Sequence, residues 1–122
     1  MKLIWAMFPT IMLVVYGQLI TKWRVGVIAA GFPVEADRWS RLLHYIFDPF
    51  ILSAYAAALG GSVAWMFVIE RHDLSLAFPI YVGLTIVSVA IAGAFLFNES
   101  LTWQRMLSIT LILAGVAIGS RT

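Results

Sequence analysis

Gln18 places a primary amide inside an otherwise apolar stretch, and Lys22 follows it one helical turn later on the same face. An amide in hydrocarbon must find hydrogen-bond partners, so Gln18 is expected to face a bundle interior or a wet cavity. Two uses are open to it. It can be interhelical glue, with Tyr16 or Thr85 as partner, or it can hydrogen-bond a polar substrate headgroup. Lys22 has a matching pair of uses: its stem can snorkel to water, or its ammonium can pair with an anionic headgroup such as a phosphate. Further along, Tyr81, Thr85, Ser88 and Ala92 recur at i, i+4, i+7 and i+11, a polar or small stripe on one helical face. Trp65 and Tyr81 can serve packing and interfacial anchoring, or stack on a substrate. All of this is binding chemistry. His44 and His72 sit among charged residues with no partner at metal-ligand spacing. There is no nucleophile motif or phosphate-binding loop, and the carboxylates keep to the ends of the apolar runs. An enzyme is not expected, nor a metal or other cofactor.

The elements that must hold these residues are transmembrane helices. Of 122 residues, 62% are hydrophobic and 11% charged, where a soluble domain carries roughly 25% charge. The charges are also clustered, leaving uncharged runs of nineteen residues (Leu3 to Thr21), twenty-one (Pro49 to Ile69) and twenty-five (Leu74 to Asn98). A fourth run, Met106 to Ser120, has fifteen and reaches helix length if Arg105 snorkels. A helix needs about 20 apolar residues to cross about 30 Å of hydrocarbon. The fold class expected is therefore an all-α membrane protein, a single domain over 1–122, with spans at about 3–23, 49–69, 74–97 and 101–119. A greasy soluble bundle would keep a charged face on its helices, and these runs have none. The first run outlasts the apolar core of a signal peptide and is expected to stay uncleaved. The formal charge of +2 is spread over loops and termini, without the dense basic patch of a nucleic-acid binder.

Gly31, Phe32 and Pro33 break the first helix. In the stretch 35–48, Trp39, Leu42, Leu43, Ile46 and Phe47 then recur at helical spacing, with charges mostly elsewhere. That pattern predicts a short amphipathic helix lying in the membrane interface, with a solvated connector as the alternative. Asp48-Pro49 reads as an N-cap followed by the first helical residue. Pro9 in span one removes a backbone hydrogen bond and predicts a bend there. Small residues mark helix contacts: Ser53, Ala57, Gly60, Gly61 and Ala64 in span two, and Gly115 with Gly119 in span four, the latter within the protomer or between two. Five Lys/Arg in loops one and three against three in the termini and loop two mildly favour both termini outside.

The run Val14-Val15-Tyr16-Gly17-Gln18-Leu19-Ile20-Thr21-Lys22 is similar to the Gly-Gln-Leu-x-x-Lys segment of the drug/metabolite transporter superfamily. Trp65 followed by Leu76-Ala77-Phe78-Pro79, the hairpin Asn98-Glu99-Ser100-Leu101 and the late Ala114-Gly115-Val116 fit in order and spacing. The chain thus resembles the four-span, EamA-like members of that superfamily, among them small multidrug resistance proteins and the flippase subunits for aminoarabinose-phosphoundecaprenol. The resemblance spans nearly the whole chain apart from the insertion Val25 to Asp48. It implies a pair of protomers, homodimeric or heterodimeric with a similar four-span protein, and a substrate path near the midplane. Small multidrug resistance proteins carry a proton-exchanging glutamate three residues before the span-one glycine, where this chain has Val14. Their Gly-x-Gly in span three is here Gly83-Leu84-Thr85. Both departures lean towards the flippase branch, which resembles this chain at Gln18 and Pro79.

The resulting expectation is a small transporter or flippase subunit of the bacterial inner membrane that moves a lipid-linked sugar on a polyprenyl phosphate, or a related amphiphile. Gln18, Tyr81, Thr85 and Ser88 would line the headgroup path, with Lys22 near the phosphate and Tyr16 and Trp65 beside it. Gly60, Gly61, Pro79, Gly83, Gly115 and Gly119 would shape the helix packing. The alternatives are a drug or metabolite exporter driven otherwise than through a span-one acid, and a non-transporting scaffold for a glycan-modifying enzyme. Glu99 is expected to be a hairpin-turn residue.

Overall fold

The computed structural model describes residues 2–33, 35 and 37–121, and within them the regular structure is wholly helical. Five helices follow one another: α1 (Lys2–Ala30), α2 (Arg38–Ile46), α3 (Pro49–Ile69), α4 (Leu74–Leu96) and α5 (Trp103–Gly119). Three of them, α1, α3 and α4, are long and apolar enough to cross a bilayer; α5 is apolar but shorter, with 17 residues, or about 25 Å.

Helix ends follow local chemistry. Asp48 caps α3, its side chain accepting from the backbone N–H groups of Phe50 and Ile51, with Pro49 at the first helical position, as expected. Thr102 caps α5 through Arg105 N–H, and Asp37 caps α2 through Trp39 N–H. Helix α1 overruns the expected boundary at residue 23 and continues to Ala30. Lys22 and Arg24 mark a water boundary, but cations do not end a helix; the chain breaks only at Gly31-Phe32-Pro33. The expected amphipathic helix forms as α2 over a shorter stretch than 35–48, of which residue 36 lies outside the described residues. The last apolar helix likewise begins at Trp103 rather than 101, because Thr102 takes the capping position.

Helices α1 and α3 pack along most of their length, α4 lies across α1, and α5 rests on α4. Small residues set the first contact. A Cβ on Gly17 would meet the Ala54 carbonyl oxygen at 3.4 Å, and one on Gly61 would meet Val14 at 3.5 Å. In hydrocarbon such close approach supplies the dispersion contacts that hold helices together. The buried cluster is Leu3, Met7, Ile11, Val68, Ala77 and Ile80, near the N-terminal half of α1. Helix α5 has no buried residue; Ile109, Ile112, Val116 and Gly119 form the half-buried stripe that faces α4. The α4–α5 contact is tightest at Gly83, where a Cβ would stand 2.6 Å from a Val116 methyl.

Candidate functional site

Two recesses run along the seam between α1 and α3. The first, about 190 Å³, is lined by Leu13, Gln18 and Thr21 of α1 and Ala54 and Tyr55 of α3. The second, about 410 Å³, is lined by Thr10 of α1, Ser62 and Trp65 of α3, and Phe78 and Tyr81 of α4. Val14 and Ala58 line both, so the recesses adjoin. The floor is apolar and its polar groups are neutral, because no Asp, Glu, Lys or Arg lines either recess.

The aromatic end is a packed triad. Trp65 and Tyr81 have ring centroids 4.8 Å apart, and Phe78 lies 6.4 Å from Trp65 and 6.2 Å from Tyr81. These spacings belong to ring–ring attraction, and they leave the remaining faces for another planar or ring-shaped group. Thr10 is 2% exposed, and its hydroxyl has no hydrogen-bond partner among the described residues.

The residues singled out from sequence separate into three groups. Trp65 and Tyr81 meet in the larger recess and Gln18 lines the smaller one. Tyr16 is committed to α3, its hydroxyl 2.8 Å from Ser53 Oγ, and Ser88 is committed to its own helix, donating to the Leu84 carbonyl at 2.7 Å. Thr85 is half-buried with its hydroxyl unpartnered among the described residues, outside both recesses. Of the two settings expected for Gln18, a bundle interior or a wet cavity, the structure places it at the open groove, exposed and bonded to neither Tyr16 nor Thr85. At that level it is the neighbouring Gly17 that takes the face of α1 packed on Ala54. Of the small residues, Gly60 and Gly61 face Leu13 and Val14, Gly83 faces Val116, and Pro79 sits within the continuous α4. Gly115 has no atom within 4 Å of a would-be Cβ, and Gly119 approaches Ile80 at 3.9 Å. With Pro79 and Gly83 they line a separate cleft of about 590 Å³ between α4 and α5.

Lys22 does not line either recess. Its ammonium stands 3.8 Å from Glu99 Oε1, and both side chains are well exposed. Beside it Arg24 grips Asp48 in two parallel bonds, Nη2 to Oδ1 at 2.8 Å and Nε to Oδ2 at 3.1 Å. The guanidinium also lies over the rings of Trp23 (5.1 Å) and Phe50 (4.9 Å). Asp48 is held below its ordinary value of 3.8, chiefly by the Arg24 hydrogen bond. Desolvation opposes this; the Ile51 N–H, the Arg24 charge and the Phe50 N–H add to it. Arg24, Asp48, Thr10, Phe78 and Glu99 were passed over as site residues. Arg24 and Asp48 are twenty-four positions apart, and no local pattern pairs them. The spacing of Phe78 and Tyr81 on one helical face did offer a signal.

A family model described as Small Multidrug Resistance protein matches residues 48–112, more than half of the chain and the part that runs from the cap of α3 into α5. The chain belongs to the small multidrug resistance family. This family member is also similar to curated proteins named "Probable 4-amino-4-deoxy-L-arabinose-phosphoundecaprenol flippase subunit ArnE". To that of Pseudomonas syringae pv. syringae it is 39% identical over 61 residues, 49% of this chain and 56% of the relative. To that of Pseudomonas savastanoi pv. phaseolicola it is 32% identical over 94 residues, 75% of this chain and 82% of the relative. For Pseudomonas aeruginosa strain LESB58 the identity is 30% over 89 residues, 73% of this chain and 74% of the relative. No solved structure matches the chain. Family and apolar helices together make it a multi-pass membrane protein, a small transporter or flippase subunit and not an enzyme.

Proposed function

We propose that this small multidrug resistance family member is one subunit of a two-chain flippase. It would move a polyprenyl-phosphate-linked sugar, or a related amphiphile, across a bacterial inner membrane. The observation that carries the proposal is Val14, where the two recesses meet. An aliphatic side chain there can neither exchange a proton nor bind a cationic drug. The groove instead presents an amide, hydroxyls and ring faces to a sugar, open to the side so that the lipid tail stays in the bilayer. Gln18 would hydrogen-bond the sugar while Lys22 meets the phosphate, and Trp65 and Tyr81, further along the groove, would stack on the ring at a later point of its passage. Thr85 and Ser88 are not at this surface, and Tyr16 acts through its bond to Ser53.

All four apolar helices, the shorter α5 included, cross the membrane in this proposal, with Trp103 and Arg105 at the interface of the short span. Helix α2 lies in the interface, its Trp39, Leu43 and Phe47 being 68%, 56% and 71% exposed. The outer faces of α5, with Gly115 open, receive a second similar chain, because four short helices cannot enclose a path alone. The test is reconstitution into proteoliposomes, with any co-purifying subunit, carrying undecaprenyl-phosphate-linked 4-amino-4-deoxyarabinose. Headgroup movement above that of protein-free vesicles is expected, with loss of at least half the rate in Gln18→Ala. Movement equal to that of empty vesicles sinks the proposal, and uptake of soluble cationic drugs in its place would mark an exporter.

A further inference from the structure

Two ion pairs stand near the C-terminal part of α1, and only one of them is saturated. Asp48 accepts four hydrogen bonds, two from Arg24 and one each from the N–H groups of Phe50 and Ile51. It is 7% exposed and has no capacity left for a ligand. Lys22 and Glu99 are different. Their 3.8 Å separation is beyond hydrogen-bond reach, so the ammonium keeps its three donors and the carboxylate its acceptor sites. The side chains are 63% and 46% exposed.

The turn that carries the carboxylate is nonetheless braced. Phe97 N–H closes α4 on the Gly93 carbonyl at 3.0 Å, and Asn98 then turns the chain with a left-handed φ of 52°, a conformation asparagine tolerates. Glu99 folds back so that Oε2 lies 3.5 Å from where a Cβ of Gly93 would be. Arg105 braces the following turn by donating to the Ser100 carbonyl at 2.7 Å. An anion on a braced turn thus faces a flexible cation across a gap, one helical turn from Gln18 and the groove.

We infer that Glu99 selects the headgroup: Lys22 and Glu99 together form a site for a zwitterion, the ammonium meeting a phosphate while the carboxylate accepts from a primary amine on the sugar. The inference rests on the flippase proposal and narrows its substrate to amine-bearing headgroups. A headgroup with phosphate but no amine leaves Glu99 beside the incoming anion, where like charges repel.

The experiment uses the full chain, with any co-purifying subunit, in vesicles containing one of two lipids: an aminosugar-phosphate on a polyprenyl tail, or the same lipid with its amine acylated. Wild type is expected to move the amine form faster by about tenfold, the ratio a charge-assisted hydrogen bond supports. In Glu99→Gln the ratio falls towards one, mainly because the acylated lipid speeds up. In Lys22→Gln both lipids slow, and Glu99→Asp restores part of the preference. Elution in detergent as the wild-type species confirms that each variant is folded. Equal rates for the two lipids in wild type, or an unchanged ratio in Glu99→Gln, overturn the inference and leave the flippase proposal standing. No movement of either lipid by wild type overturns both.

Discussion

Arg24–Asp48 and Lys22–Glu99 use the same charges, both start from α1, and their cations are two residues apart, yet their geometry gives them opposite roles. The first is bidentate, covered by Trp23 and Phe50, and merged with the N-cap of α3. The second is open, unbonded and half in solvent. A fully satisfied pair in a covered setting fixes where two helices meet. An exposed pair adds little to stability, because water competes for both partners. What distinguishes the structural ion pair from the proposed binding site is the number of hydrogen-bonding positions still vacant.

The largest effect expected from breaking that contrast comes at the closed pair. Asp48→Ala removes the clasp and the cap together and strands the Arg24 guanidinium. Its melting temperature in detergent should drop by several degrees, well beyond that of Glu99→Gln; equal melting temperatures would erase the distinction. Next is the support of the open pair. Gly83→Leu drives a side chain into Val116 and Ile112, costing about 1–3 kcal/mol by overpacking. It should loosen the α5 side of the Glu99 hairpin while leaving Arg24–Asp48 intact, as read by spin-label distances across each pair.

Acid sharpens the comparison from another side. Asp48 has a native value below its unfolded 3.8, so the stability it contributes is complete above that unfolded value and disappears as pH falls through the native one. A melting series should therefore show the Asp48-dependent part of stability, wild type minus Asp48→Asn, constant from pH 7 to about 5 and shrinking below about 4. A smaller effect belongs to Tyr16→Phe, which deletes the bond to Ser53 between α1 and α3. About 0.6 kcal/mol is expected in reversible unfolding, the average for interhelical hydrogen bonds in membranes. The smallest stability effect is that of Glu99→Gln, whose melting curve should overlay wild type even as headgroup preference changes.

Much of this molecule was legible before any coordinates. Uncharged runs of membrane length announce long apolar helices, since an ionised group in hydrocarbon is costly and its absence over twenty residues is informative. Asp48-Pro49 announced the start of α3, because capping is settled by residues adjacent in sequence. Less was legible wherever two distant segments must meet. Trp65 and Tyr81 were named individually, but their pairing with Phe78 depends on how α3 turns back into α4. For Gln18 the sequence left a bundle interior and a wet cavity both open, and it is the packing of the neighbouring Gly17 on Ala54 that leaves the amide at the open groove. Ser88 looked available from its stripe, but a serine in a helix can bond the carbonyl four residues back, and here it does.

Residue order alone determined the helices, their apolar character and the lack of an acid at position 14, because these depend on local composition and on the cost of charge in oil. Tertiary structure decided which polar groups remain unspent. Hydrogen-bond capacity is consumed pairwise by groups brought together through packing, so Asp48 emerged saturated and Glu99 available although both are carboxylates at the edge of an apolar run.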